Sequence, residues 1–419
     1  MAIKPSLLVP KLRFAEFVDE PPWECPPLNK LAKRITQRNT HGADLKALTN
    51  SAENGVVDQR EYFDRDIATN TDNYYILKTG DYVYNPRISS TAPVGPISKN
   101  QIGTGVISPL YTVFRFRSDA NDFFAHYFKS SHWHGYLRRV SNTGARHDRM
   151  TITYDDLMRM PIPTPSPREQ KKIADCLGSL DNLIAAEGRK LQALRQHKEG
   201  LMQRLFPQPG ETVPRLRFPD FQNSGAWDEK KLDDLARRGT GHTPKKAIAE
   251  YYNGGIKWVS LADSKRLDNG LISESEIEIS EEGINNSSAV LHPAGSVILS
   301  RDAGVGKSAI IACPMAVSQH FIVWTCKPTV LSNWFLYYQL QLLKPFFERI
   351  ATGSTIKTIG LPFFNAMRVT VPRLAEQHRI VDCLSTLDAR LAVLVQKLEA
   401  FKTLKQGLLQ QLFPPPESQ

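Results

Sequence analysis

The chain repeats itself, and an internal repeat of this length restricts the architecture before any single residue does. Residues 9–34 and 213–238 align without a gap at an offset of 204, with 11 of 26 positions identical. Phe14/Phe218, Phe17/Phe221, Trp23/Trp227, Leu28/Leu232, Leu31/Leu235 and Arg34/Arg238 coincide. A second block, 169–209 against 376–416, matches at an offset of 207, with about half of its 41 positions identical. Glu169/Glu376, Gln170/Gln377, Asp181/Asp388, Gly200/Gly407 and Phe206/Phe413 are among the matches. Between these blocks, residues 35–142 and 239–352 have similar lengths and no shared register. The chain is a duplicated unit: a constant frame, a variable interior and a constant long segment.

The long segments predict helices. Ile173, Leu177, Leu180, Ile184, Leu191, Leu194, Leu201 and Leu205 fall on alternating steps of four and three, with Glu187 and Lys198 in the missing positions. Ile380, Leu384, Leu387, Leu391, Leu394, Leu398, Phe401, Leu408 and Leu412 repeat the pattern, with Lys405 matching Lys198. Such an a/d seam is a coiled-coil signal. Pro163, Pro165 and Pro167 precede the first helix and Pro207 and Pro209 follow it; Pro372 and Pro414 to Pro416 bracket the second. At ~1.5 Å per residue each is ~55 Å long. Two equal seams in one chain bury most simply against each other. A whole domain connecting them allows an antiparallel pair.

The interiors read as mixed α/β. Tyr74 to Leu77, Asp81 to Tyr84, Val113 to Phe116, Ser296 to Leu299 and Phe321 to Trp324 are short β-branched or aromatic runs set off by turn residues. Asp119 to Lys129 and Leu331 to Leu343 predict helices. The expected fold class is α+β: two mixed α/β domains in pseudo-twofold arrangement, separated by two long antiparallel coiled-coil helices. The expected boundaries are 1–164 and 210–373 for the domains, and 165–209 and 374–419 for the helices.

Composition bounds the function. The formal charge of +10 over 419 residues suits an acidic partner, but no segment is strongly basic: residues 239–352 sum to zero and 353–419 to +3. Five scattered cysteines without a C-x-x-C pair argue against a disulfide framework or zinc ribbon. The longest apolar run, Ala309 to Val317, is far short of the ~20 residues that span a bilayer. A cytoplasmic protein with no membrane partner is expected.

Fragments that look catalytic each lack a necessary part. Gly304-Val305-Gly306-Lys307-Ser308 resembles the end of a P-loop, but the Gly that motif needs upstream is Arg301. Asp220, Asp228 and Lys230 match a loose nuclease pattern whose Lys is missing from the repeat partner. Asn85-Pro86-Arg87-Ile88 begins like an amino-methylating motif without its second Pro and aromatic residue, and no G-x-G-x-x-G loop accompanies it. His132-Trp133-His134 has no Cys nearby to complete a metal site. The expectation is a non-catalytic chain with no catalytic residue and no metal ligand.

Taken together, the repeated PxLRFxxF…W frame, the Glu-Gln pairs that open each helix (Glu169-Gln170, Glu376-Gln377) and the Leu-Phe-Pro ends (Leu205 to Pro207, Leu412 to Pro414) resemble the specificity subunit of type I restriction–modification systems. The resemblance covers essentially the whole chain. Within the interiors, Gly80 to Asn85, Gly105 to Tyr111, Gly241 to Pro244, Ile256 to Val259, Gly304 to Lys307 and Gly353 to Lys357 look like segments of its target-recognition domains. The resemblance implies that each domain reads one half of a bipartite asymmetric double-stranded DNA target, and that the coiled coil fixes half-site spacing. It also implies docking of two adenine methyltransferase subunits, joined by translocase–nuclease subunits in a restriction complex. S-adenosylmethionine, ATP and Mg belong on those partners, and none on this chain. A coiled-coil scaffold that does not read DNA is the rival reading.

On that resemblance, the DNA-contact candidates are polar or basic turn residues of the variable interiors. They are Arg38, Asn39, Arg87, Ser89, Arg146, His147 and Arg149 in the first, and Thr243, Lys245, Lys246, Arg301, Lys307, Ser354, Thr355 and Lys357 in the second.

Overall fold

Each repeated frame folds around the same buried ion pair. The structure, a computed structural model, describes residues 8–40, 45–65, 71–141 and 148–414. The chain divides into two compact units, residues 1–188 with 396–419 (unit 1) and residues 189–395 (unit 2). In unit 1, Arg13 grips Glu169 bidentately at 2.9 and 2.8 Å while Trp23 Nε1 donates to the same carboxylate at 3.1 Å. In unit 2, Arg217 grips Glu376 at 2.7 and 2.8 Å and Trp227 Nε1 donates at 3.4 Å. Arg13 also donates to the carbonyls of Glu20 and Pro21, and Arg217 to those of Ser224 and Gly225, again 204 residues on. Both carboxylates sit in the first turn of a long helix, where the helix dipole favours negative charge. Beside them Gln170 donates to Pro165 O and Gln377 to Pro372 O. The Glu-Gln pair thus fastens each helix start to the frame.

The long helices run Pro167–Leu205 and Leu374–Gln411. Each unit contains the start of one and the end of the other. In unit 1 the two segments run antiparallel: Asp181 pairs with Lys405 and Glu187 with Lys397, ascending on one helix as the other descends. In unit 2 the repeat-equivalent pair, Lys198 with Asp388, forms at 2.5 Å. Every residue of the two predicted seams is buried or half-buried. Met202 and Leu409, outside the expected pattern, are buried as well because each seam widens where it meets a domain. Ile173 and Leu177 join the core of unit 1, together with Leu409, Leu412 and Phe413. Phe413 packs on Phe123 and Tyr127, and its equivalent Phe206 packs on Trp227 and Phe335 in unit 2. The Leu-Phe-Pro ends therefore seal the domain cores.

The interiors share a topology that their sequences conceal. Unit 1 has β1 (Ala32–Arg34), β2 (Ala47–Ser51), β3 (Gly55–Asp58), β4 (Tyr75–Leu77), β5 (Tyr82–Tyr84), β6 (Ile97–Lys99), β7 (Gly105–Ile107) and β8 (Thr112–Phe116). Unit 2 has β9 (Asp228–Lys231), β10 (Ala236–Thr240), β11 (Tyr252–Val259), β12 (Leu271–Ile272), β13 (Ile277–Ile279), β14 (Val297–Ser300), β15 (Ser308–Ile311), β16 (Ala316–Val317), β17 (Phe321–Cys326) and β18 (Arg368–Val371). The antiparallel sheet β1-β8-β5-β6 of unit 1 reappears as β10-β17-β14-β15 in unit 2, with β12 added at its edge. Antiparallel β3–β2 and parallel β2–β7 reappear as antiparallel β13–β11 and parallel β11–β16. The predicted strands are present within a residue or two. The helix expected over Asp119 to Lys129 is limited to Asp122–Tyr127, and that expected over Leu331 to Leu343 runs Asn333–Ile350. The latter continues through Pro345, and Phe347 beyond it is fully buried in the unit 2 core. Among the described residues no helix is long and apolar enough to cross a membrane.

Two outcomes test this architecture. Glu376→Ala leaves Arg217 buried without its partner and destabilises unit 2 by about 3–5 kcal/mol, read by chemical denaturation. Acid acts on unit 1 through His126, whose burial, reinforced by Lys129, holds its pKa down to about 4. As pH falls from about 6.5 toward 4 the unfolded chain takes up a proton that the folded unit refuses. Stability therefore falls across that window, on the order of 3 kcal/mol for this one group, and His126→Gln flattens the pH dependence of the melting midpoint.

Candidate nucleic-acid interface

Strand order gathers the candidate loops at one rim of each antiparallel sheet. In unit 2, β10 ends opposite the start of β17 (Thr240 against Ile322), and the end of β14 lies opposite the same strand (Ser300 against Phe321). The segments leaving these ends, 241–246, 301–307 and 318–320, must therefore emerge together. A fourth segment, 352–358, joins through bridges from Thr358 to Asp302 and to Thr352. Gly241 shows how tightly the rim closes: a Cβ there would lie 1.9 Å from Val317 O. Gly353, at φ +125°, makes the turn that carries Ser354 and Thr355.

On this rim Lys245, Lys246, Ser354, Thr355 and Lys357 are exposed. Thr243 is half-buried and donates its hydroxyl to Gln319. Arg301 is less available than its sequence position suggested, since its Nε donates to Ile359 O at 3.1 Å and stands 3.7 Å from Asp302. Lys307 is half-buried, and its ammonium donates to Ser264 O at 2.9 Å and Ser264 Oγ at 3.0 Å. It braces the loop from inside.

Unit 1 builds the same rim. The end of β1 and the end of β5 flank the start of β8 (Arg34 against Phe114, Tyr84 against Thr112). The bridge Arg87–Arg149 stands where unit 2 has Asp302–Thr358. Arg87 and Arg149 are held near Asp148, at 4.0 and 3.6 Å. Ser89 is exposed, and its Oγ accepts from Ala92 N at 3.0 Å. Arg38 lies over the Tyr75 ring, 5.3 Å from its centroid, and donates to Asn73 O. Asn39 requires a correction: at 2% exposure it is buried inside the unit, since its N–H and carbonyl join the backbone of Tyr74 and Asn73 and draw the residue inward. Arg146 and His147 lie outside the described residues.

Gln319, His320 and Asp302 in unit 2 and Leu110 in unit 1 stand at the same rims and are not among the sequence candidates. The only signal was position, immediately after a strand end, and that becomes visible once strand order is known. Among the described residues no group of three or more His, Cys, Asp or Glu is placed to hold a metal ion.

The family described as type I restriction modification DNA specificity domain matches residues 45–196 and again 225–402. The chain belongs to that family. The match falls once on each interior and its following helix, as the duplication requires. Over 163 residues the chain is 28% identical to the type I restriction enzyme MjaIX specificity subunit of Methanocaldococcus jannaschii, covering 39% of this chain and 38% of that protein. Over 251 residues it is 27% identical to the EcoR124I/EcoR124II specificity subunit of Escherichia coli, covering 58% of each. The chain thus spans less than two thirds of the length of either relative. The S subunit from M. genitalium superposes with a TM-score of 0.59 at 14% identity, covering 98% of this chain and 100% of that one. A chain solved in work on assembly and conformational transition of the type I R-M system gives 0.58 at 16% identity, covering 94% and 97%. These likenesses bear on the fold.

The brace carries its own expected outcome. Lys307→Ala removes charged hydrogen bonds inside unit 2 and lowers its stability by about 1.5–3 kcal/mol. Chemical denaturation of the variant beside the wild type reads that loss directly.

Proposed function

We propose that this chain is the DNA sequence-specificity subunit of a type I restriction–modification complex. The observation that carries the reading is the rim built twice: one scaffold and one strand order, presenting different residues in the two units. A protein that reads two unlike half-sites needs that combination of constant frame and divergent loop ends. Unit 1 takes one half of a bipartite, asymmetric double-stranded DNA target and unit 2 the other. The long helices, continuous through both units, set the half-site spacing and dock two adenine methyltransferase subunits, with translocase–nuclease subunits joining in a restriction complex. The chain itself is non-catalytic and cytoplasmic. S-adenosylmethionine, and ATP and Mg for restriction, are held by the partners.

Affinity on this reading comes from lysines and arginines at phosphates. Lys245 and Lys246 are adjacent and exposed in the segment that follows β10. Replacing both with Ala lowers the slope of log affinity against log salt by up to ~2, at about 0.9 for each phosphate left without its cation, and does so on any sequence. The decisive experiment is single-base mapping of genomic methylation in cells with and without the gene. A split adenine motif that vanishes on deletion is the expected result. An unchanged pattern while the methyltransferase partner is expressed would favour a scaffold that does not read DNA.

A further inference from the structure

Between β16 and β17 in unit 2, and between β7 and β8 in unit 1, the chain makes the same turn. Phe321 N donates to Ser318 O at 3.2 Å, and Tyr111 N donates to Ser108 O at 3.1 Å. Both turns sit at the rim, beside the strand ends that carry the lysine and arginine candidates. Their contents differ. Unit 2 presents Gln319-His320 and unit 1 presents Pro109-Leu110.

Gln319 is exposed yet held at both ends. Thr243 donates to its Oε1, and its Nε2 lies 3.4 Å from His320 Nε2. His320 Nδ1 is 2.9 Å from Asp302 Oδ2, and a carboxylate only accepts, so Nδ1 donates. Thr358 completes the chain by donating to Asp302 Oδ1, so all four rim segments are linked through one polar series. After these bonds the exposed amide still has one N–H and one oxygen lone pair to offer. An adenine presents the complementary acceptor and donor, N7 and N6–H, in the major groove. In unit 1 the exposed group is Leu110, at 65%. An aliphatic tip on a polar rim suits the one apolar feature of the major groove, the thymine methyl.

We infer that this turn is the base-reading element of both units, with Gln319 pairing to an adenine edge in one half-site and Leu110 contacting a thymine methyl in the other. The inference rests on the DNA-reading role proposed above. His320, Thr243 and Asp302 are positioning residues that orient the amide.

The test uses the full chain assembled with its methyltransferase subunits, reading methylation motifs at single-base resolution for wild type, Gln319→Ala, Gln319→Glu and Leu110→Ala. Gln319→Ala relaxes one base-pair position in one half-site by about ten- to a hundredfold and leaves the other half unchanged. Gln319→Glu, an acceptor alone, moves the preference at that position toward cytosine, whose N4 donates. Leu110→Ala relaxes a thymine position in the opposite half. Both side chains are exposed, so the variants stay folded, which thermal denaturation checks. Variants that keep the full wild-type motif overturn the inference, as does uniform loss at every position with folding intact. Absence of any split motif in the wild type would instead overturn the DNA-reading role itself.

Discussion

Each unit depends on a carboxylate that has been taken out of water. Glu169 and Glu376 are almost wholly buried, and a lone buried carboxylate is costly enough that the rest of the site must be built to satisfy it. The bidentate guanidinium supplies charge and planar geometry together. The indole N–H supplies another donor, and the helix terminus adds favourable partial charge. Arg13 and Arg217 direct their remaining donors to backbone carbonyls seven and eight residues away, so the frame segment folds back around the side chain. Two stretches of chain, the frame with its tryptophan and the start of a long helix, are thereby locked at one point. Such a pair adds little net stability over an apolar substitute, but breaking it is strongly destabilising, and that asymmetry fixes the geometry.

The helix seams use charge in a related way. Asp181 with Lys405 in unit 1 and Lys198 with Asp388 in unit 2 are the same pair seen from the two halves of the repeat. Polar residues in an otherwise apolar seam specify register, because any slip leaves them facing leucine. They are also tied to the domains. Tyr338 donates to Asp388 at 2.8 Å, and Lys129 reaches Asp181 at 3.3 Å. Helix register and domain position are therefore set by the same side chains.

With stability assigned to the frame and seams, the rim is free to vary. The central strands β5, β8, β14 and β17 are almost wholly buried, while the segments beyond their ends are the places where the two units differ. Residues there can change without touching the core. Among the described residues, no polar series like that from Thr243 to Thr358 in unit 2 runs through the Pro109-Leu110 turn of unit 1, although strand order around both is the same.

Most of the scaffold was legible in the sequence. The repeat exposed the duplication, heptad spacing exposed the two helices and their antiparallel option, and aromatic runs exposed the central strands. These are local or periodic signals, written in neighbouring residues. The partnership of Arg13 with Glu169 was not legible, because 156 residues separate them and only folding makes them adjacent. Nor was the sealing of each core by the far end of the other repeat's helix, since Phe413 carries no local sign that it belongs beside Phe123. The same holds for the rim. The resemblance could nominate polar and basic turn residues, but burial withdrew Asn39 and hydrogen bonding engaged Lys307. Gln319 and Leu110 came into view only when strand order placed their turns at the rim. Local pattern marked the long helices and the central strands. Tertiary structure decided which of their ends meet, because that depends on pairings between strands and helices far apart in the chain.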